Sequence, residues 1–180
     1  MNKLFTFLFS FVLGMMVFLP IFSYIKWEKE RYAYAPTAMF YPKHPIVECV
    51  RDVECSALSE AGYYEARSEP DIGVLAVFSV ITNRVNAPHW ENSIQDVIEA
   101  PRQFSFTHDG SRERGNMNIS QWARMYYLAY KYLNGELTVP EEFHRMTHYH
   151  NLQVSPKWAK HYEVVTVLGN HKFYSCKRRC

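Results

Sequence analysis

Charge of one sign never accumulates in this chain. Lysine and arginine total 20 against 18 aspartates and glutamates, a net of +2, and no basic run of five or more occurs. A nucleic-acid partner is therefore not expected, since its footprint needs lysine and arginine massed together. The CxxC pairs of a zinc ribbon are also missing. The four cysteines fall in two clusters, Cys49 with Cys55 and Cys176 with Cys180, at spacings that do not suit a structural zinc site. An even count suits disulfides in an oxidising compartment. Three pairings are open, and bridges between the clusters, tying the C-terminus to the start of the domain, are the favoured ones. Internal repeats and low-complexity tracts are absent. What is left fits one compact domain with a short appendage.

Residues 4–25, LFTFLFSFVLGMMVFLPIFSYI, contain no charge at all. As a helix rising about 1.5 Å per residue they span roughly 33 Å, enough for the hydrocarbon layer of a bilayer. A cleaved signal peptide has a shorter apolar core followed closely by a small-x-small site. Here the first such site, Ala33-Tyr34-Ala35, lies well past the run and precedes Pro36. The reading is an uncleaved signal-anchor over 1–25. Counting positive charges does not orient it, because Lys3 precedes the span while Lys26, Lys29 and Arg31 follow it. The cysteines and the chemistry below favour an exported domain on a single pass through the inner membrane. Residues 26–46 mix charges, aromatics and prolines without a period and read as a tether. The domain proper covers 47–180.

In that domain, Val53, Ala57, Ala61 and Tyr64 recur at helical spacing and predict a helix over Cys49–Arg67. Pro70 suits the first turn of a second helix, and Ile72–Val85 is apolar almost all round, as a buried helix is. SIQD offers a capping box at Ser93 for a short helix through Ile98. PRQFSFTHDG reads as a loop. A further helix opens at Ser120, with Trp122, Met125, Tyr126, Ala129 and Leu133 on one stripe, and closes at Asn134-Gly135. A helix is expected over 140–147, then a strand, a tight turn at Gly169-Asn170 and a second strand. The fold class is α+β, predominantly helical, with a small β-hairpin. The many tyrosines and tryptophans serve mostly as core, while offering rings with polar tips to a ligand.

The stretch YYEARSEPD, residues 63–71, holds two glutamates. On one continuous helix Glu65 and Glu69 would share a face, but Pro70 pushes the residue before it out of the α region. Glu69 therefore belongs to the junction, where its carboxylate can accept backbone N–H groups at the start of the next helix. Glu65 stays on the last helical turn beside Tyr63 and Tyr64. Such surroundings raise a carboxyl pKa and keep the proton that a general acid must deliver. Pairing with Arg67 would instead keep Glu65 ionised.

The blocks YYEARSEPDIGVLAVFSVITNRV, QFSF, THYHN with SPKW, and LGNHKFY, in that order, resemble the SleB-type cell-wall hydrolases, the family of spore cortex-lytic enzymes. The resemblance covers about residues 50–175. It implies a lysozyme-like domain acting on peptidoglycan as a lytic transglycosylase, with Glu65 as the essential acid and Glu69 in a structural role. Ser68 stands where a glycine is usual, Tyr63-Tyr64 precede the glutamate, and the apolar run replaces a separate wall-binding domain.

Within the matching blocks, Gln103, Ser105, Tyr149, His150, Asn151, His171 and Tyr174 are candidates for binding the glycan. Trp158 is a stacking platform or a core anchor, and Asn83 and Arg84, ending the buried helix, read as structural. Asp109 and Asp71 are the available second carboxylates if the reaction is hydrolytic. No cofactor or metal is expected, and the domain is expected to be monomeric. A rival reading uses the histidines. His144 and His148 are four apart, with His150, His161 and His171 beyond, a set that could serve a zinc amidase cutting the peptide branch. Arg145, however, stands where H-E-x-x-H needs its glutamate. A third possibility is a membrane-tethered wall-binding protein without turnover.

Overall fold

A computed structural model describes residues 44–114 and 118–176 of the chain. The expected membrane segment and nearly all of the tether lie outside these residues, and among the described residues no helix is long and apolar enough to cross a membrane. Among the described residues five α-helices precede the strands: α1 Pro45–Arg51, α2 Val53–Ala66, α3 Asp71–Val85, α4 Ile94–Glu99 and α5 Ile119–Leu133. Three strands follow: β1 His148–Asn151, β2 Tyr162–Leu168 and β3 His171–Cys176.

The expected first helix is divided. Asp52 is extended (φ −92°, ψ 123°) and its Oδ1 accepts the Cys55 N–H at 2.8 Å, so one residue ends α1 and caps α2. This bend brings the Cα atoms of Cys49 and Cys55 to 5.0 Å, and the two form a disulfide. The favoured bridge between the cysteine clusters is thereby corrected: the first cluster closes on itself. Cys176 is disulfide-bonded as well.

Helix α3 is the central rod, with every residue from Gly73 to Ile81 buried. Across it lies α2, and Gly62 is the point of closest approach. A Cβ there would stand 2.8 Å from Phe78 Cε1 and 3.0 Å from Met125 Sδ, so α2, α3 and α5 meet at a position only glycine fits. Ser93 caps α4 as expected, the Asp96 N–H donating to Ser93 Oγ at 3.0 Å, while the Asp96 carboxylate accepts from the Ser93 hydroxyl at 2.7 Å. Helix α5 starts slightly earlier than expected, capped by Asn118. Its buried stripe is Met125, Leu128 and Ala129, and Leu133 is exposed.

One further expectation is corrected and another is extended. The helix over 140–147 is only a short 3₁₀ turn, Glu141–Arg145, because the chain must straighten to enter β1. The hairpin is a three-stranded antiparallel sheet ordered β1-β3-β2, with the turn at Gly169-Asn170 as predicted. Register pairs Tyr149 with Phe173 and Asn151 with His171 on one face, and His148 with Tyr174 and His150 with Lys172 on the other. The first face meets the helices, since Phe173 is fully buried in the core.

Side chains from the helices rivet the sheet in place. Asn83 donates to the carbonyls of Phe143 (2.6 Å) and Met146 (2.8 Å), and Arg84 Nε donates to that of Thr147 (2.8 Å). These bonds satisfy the backbone of the segment leading into β1, as buried polar groups require.

Candidate active site at Glu65

Glu65 lies on the last turn of α2, half-buried where that helix faces β1. The hydroxyl of Tyr149, on the helix-facing side of β1, donates to Glu65 Oε2 at 2.9 Å. Burial raises the Glu65 pKa above the usual carboxylate value; the Tyr149 bond and the positive charge of Arg84 oppose the rise, and the negative charge of Asp109 adds to it. The net effect favours the protonated form. Arg67 does not intervene: it is exposed, lies over the Tyr63 ring at 5.0 Å and donates to the Tyr63 carbonyl at 3.4 Å. Tyr64 packs against Phe106 with ring centroids 4.8 Å apart, extending the apolar surroundings of the helix end toward the QFSF segment.

Arg84 is buried and lies against Trp90, its guanidinium 4.4 Å from the ring centre. Burial lowers its pKa to about 10, so it is still a cation at neutral pH. Asp109 is exposed, and the hydrogen bonds of Ser111 hold it below the usual carboxylate range. Its loop is pinned by Arg112, which bridges Glu60 at 2.8 Å and Glu99 at 2.5 Å. Arg84 and Asp109 thus act on Glu65 through space with opposite signs. Asp71 is elsewhere, held by Arg124 at 2.6 Å.

Comparison with known proteins adds an independent line. The cell wall hydrolase family pattern matches residues 68–174. The chain belongs to that family. The match begins just after Glu65. Spore cortex-lytic enzymes align over a shorter stretch. That of Bacillus subtilis is 45% identical over 53 residues, 29% of this chain and 17% of that protein. That of Halalkalibacterium halodurans is 39% identical over 59 residues, 33% of this chain and 18% of that protein. The aligned part is thus under a fifth of these relatives. Among solved structures, the catalytic domain of Bacillus cereus SleB superposes with a TM-score of 0.52 at 26% identity, covering 77% of this chain and 94% of that one. The catalytic domain of the germination-specific lytic transglycosylase SleB from Bacillus anthracis gives 0.53 at 25% identity, covering 77% and 100%.

In this cell wall hydrolase family member, the other candidate residues separate into distinct places. Glu69 is buried and reaches across to the sheet instead of capping α3, which has no side-chain cap. Its carboxylate accepts the Asn170 backbone N–H at 3.2 Å and the Asn170 side-chain amide at 3.0 Å. His171 is buried beside it, Nδ1 3.7 Å from Glu69 Oε1, and meets the Tyr149 ring edge-on at 5.4 Å. Burial lowers the His171 pKa despite Glu69. Tyr174 and His150 lie on the opposite face of the sheet, where His150 Nε2 and the Tyr174 hydroxyl are 2.7 Å apart. His171 and Tyr174 therefore do not share a surface. Asn151 Oδ1 accepts the Gln153 N–H at 2.9 Å in the turn leaving β1. Gln103 and Ser105 are both exposed, and Gln103 Oε1 accepts from Arg84 Nη1 at 3.4 Å.

The histidines of the zinc reading do not converge. Among the described residues no group of three His, Cys, Asp or Glu side chains is placed to hold a metal ion. Instead His148 packs 4.1 Å from the Tyr162 ring and His150 bonds Tyr174. Trp158 joins these rings, 5.5 Å from both His148 and Tyr174. Sequence reasoning placed Arg84 as structural and passed over Trp90. A lone tryptophan in the polar loop NAPHWENS was the available signal for the latter.

Proposed function

We propose that this chain cuts the glycan strand of peptidoglycan between N-acetylmuramic acid and N-acetylglucosamine, as a lytic transglycosylase with Glu65 as its single acid and base. The observation that carries the reading is the state of Glu65: half-buried, hydrogen-bonded by Tyr149, raised in pKa and, among the described residues, held in no ion pair. Membership of the cell wall hydrolase family supports the polymer, and the activity named for the Bacillus anthracis relative supports the reaction type.

In the first step the Glu65 carboxyl gives its proton to the glycosidic oxygen as the C1–O bond breaks, and the glucosamine end leaves as an alcohol. The acetamido group of the muramic acid stabilises the positive C1. In the second step ionised Glu65 takes the proton of the 6-hydroxyl, whose oxygen bonds to C1 and closes a 1,6-anhydro ring. Arg84 favours the carboxylate that the second step needs, while burial favours the acid that the first step needs. A carboxyl set between these influences can serve both steps.

One observation favours hydrolysis as a second reading. Asp109 is ionised and close enough to act on Glu65 electrostatically, and paired carboxyls of unequal pKa are the usual glycosidase device. Mass spectrometry of peptidoglycan digested by residues 33–180 separates the possibilities. Anhydro-muramic ends support the proposal, reducing ends the hydrolytic reading, and freed peptides an amidase; intact glycan after prolonged incubation would refute both glycan-cutting readings.

The same proposal tethers the domain to the outer side of the cytoplasmic membrane through residues 4–25, a location that suits the Cys49–Cys55 disulfide. Protease shaving of spheroplasts tests it: the domain should be digested from outside without breaking the cells.

A further inference from the structure

A cavity of about 400 Å³ is lined among others by Trp90, Glu91, Ala100, Gln103, His148 and Tyr162, two of which, Trp90 and Gln103, touch Arg84. Its size falls within the range of small-molecule sites, about 300–1,000 Å³. Glu65 is not on its wall, and no step of the mechanism uses it.

The lining has a definite chemical character. Trp90 and Tyr162 are both partly exposed rings at the cavity wall. Trp90 cannot swing freely, because its ring carries the Arg84 guanidinium on one side and meets His148 at 5.8 Å. Tyr162 is fixed in the same way by His148 at 4.1 Å and Trp158 at 5.6 Å. His148 is uncharged at neutral pH, since burial and then the charge of Arg84 lower its pKa to about 4. Gln103 spends its carbonyl oxygen on Arg84, which orients the side chain and leaves its amide N–H groups to donate. Fixed rings, a neutral imidazole and a positioned amide donor suit a neutral ligand with flat C–H faces and an amide carbonyl.

We propose that this cavity is a subsite for an N-acetylated hexosamine ring of the glycan strand, stacked on Trp90 or Tyr162, with its acetamido carbonyl accepting from Gln103. Arg84 then links the two places: one guanidinium orders the subsite through Trp90 and Gln103 and acts electrostatically on Glu65. The inference rests on the glycan-cutting reading for its ligand, but it concerns binding and is testable without turnover.

The experiment is isothermal titration calorimetry of the full chain in detergent micelles, carrying Glu65→Gln, with the β-1,4-linked N-acetylglucosamine tetramer as probe. Saturable binding is expected, and adding Gln103→Ala or Tyr162→Ala is expected to weaken it at least tenfold. Trp90→Phe, which keeps a ring for Arg84, should weaken it less. Folding of each variant is checked by thermal melting. The proposal is overturned if folded Gln103→Ala and Tyr162→Ala variants bind like the parent, or if the parent does not bind the tetramer. Failure of the glycan-cutting reading would be seen separately, as wall digestion by the wild-type chain that leaves glycan strands uncut.

Discussion

Tyr149 and Glu65, far apart in sequence, are joined by a hydrogen bond of 2.9 Å from phenol to carboxyl. The bond ties the acid on α2 to the first strand of the sheet and sets the direction of one carboxyl oxygen. It also lowers the Glu65 pKa against the larger effect of burial. Replacing Tyr149 with phenylalanine removes only the donor. The Glu65 pKa then moves further up, so the alkaline limb of the pH–activity profile shifts to higher pH. The rate at the optimum falls about tenfold or more from lost positioning. A pH–rate profile on purified peptidoglycan checks both. An unchanged alkaline limb would mean that the limb reports some other group.

Glu65→Gln separates chemistry from stability. Turnover is abolished, because an amide cannot deliver the proton. Stability moves the other way. A carboxyl whose folded pKa is raised above its unfolded value is easiest to accommodate when protonated. The native domain therefore loses stability as pH climbs from the unfolded pKa, about 4.3, through the folded one. Glutamine avoids that loss and still accepts from Tyr149. The variant should melt above the parent at pH 7, with the gap closing as the pH falls below about 4. Thermal melts across that range are the check.

Much of this arrangement was legible because local chemistry agrees with the fold. Pro70 separates Glu65 from Glu69, Ser93 caps α4, and Gly169-Asn170 turns the chain between β2 and β3. The failures lie where tertiary contacts decide. Nothing in PEEFHRMTHYHN announces that Asn83 and Arg84 will claim the carbonyls of Phe143, Met146 and Thr147 and straighten the chain into β1. The cysteine pairing turned on the extended Asp52, invisible to a count of spacings. Alternation along β3 puts His171 and Tyr174 on opposite faces, but only the register with β1 shows that His171 faces Glu69 while Tyr174 faces His150.

Asp109 gives a test of the two glycan-cutting mechanisms. Its negative charge adds to the rise in the Glu65 pKa, so Asp109→Asn should move the alkaline limb to lower pH, opposite to Tyr149→Phe. If Glu65 acts alone, the variant keeps most of its maximal rate and still releases anhydro ends. A loss of about a hundredfold or more at every pH would assign Asp109 a direct part as base or charge stabiliser.

Gly169 tests the grip of the helical layer on the sheet. Its φ of +54° lies in the left-handed region, and a Cβ there would overlap the Glu69 carboxylate that holds Asn170. Gly169→Ala therefore meets two separate obstacles: backbone strain of about 1 kcal/mol or more, and a collision that pushes a buried carboxylate off its donors. Together they should cost about 3 kcal/mol or more. Glu69→Ala removes the collision but leaves the donors of Asn170 unanswered. In the double variant the two losses should be clearly less than additive, because the clash exists only when both side chains are present. Denaturant titration of the four proteins completes the cycle. Strict additivity would show that the turn relaxes away from Glu69, and that the carboxylate does not hold the sheet against the helices.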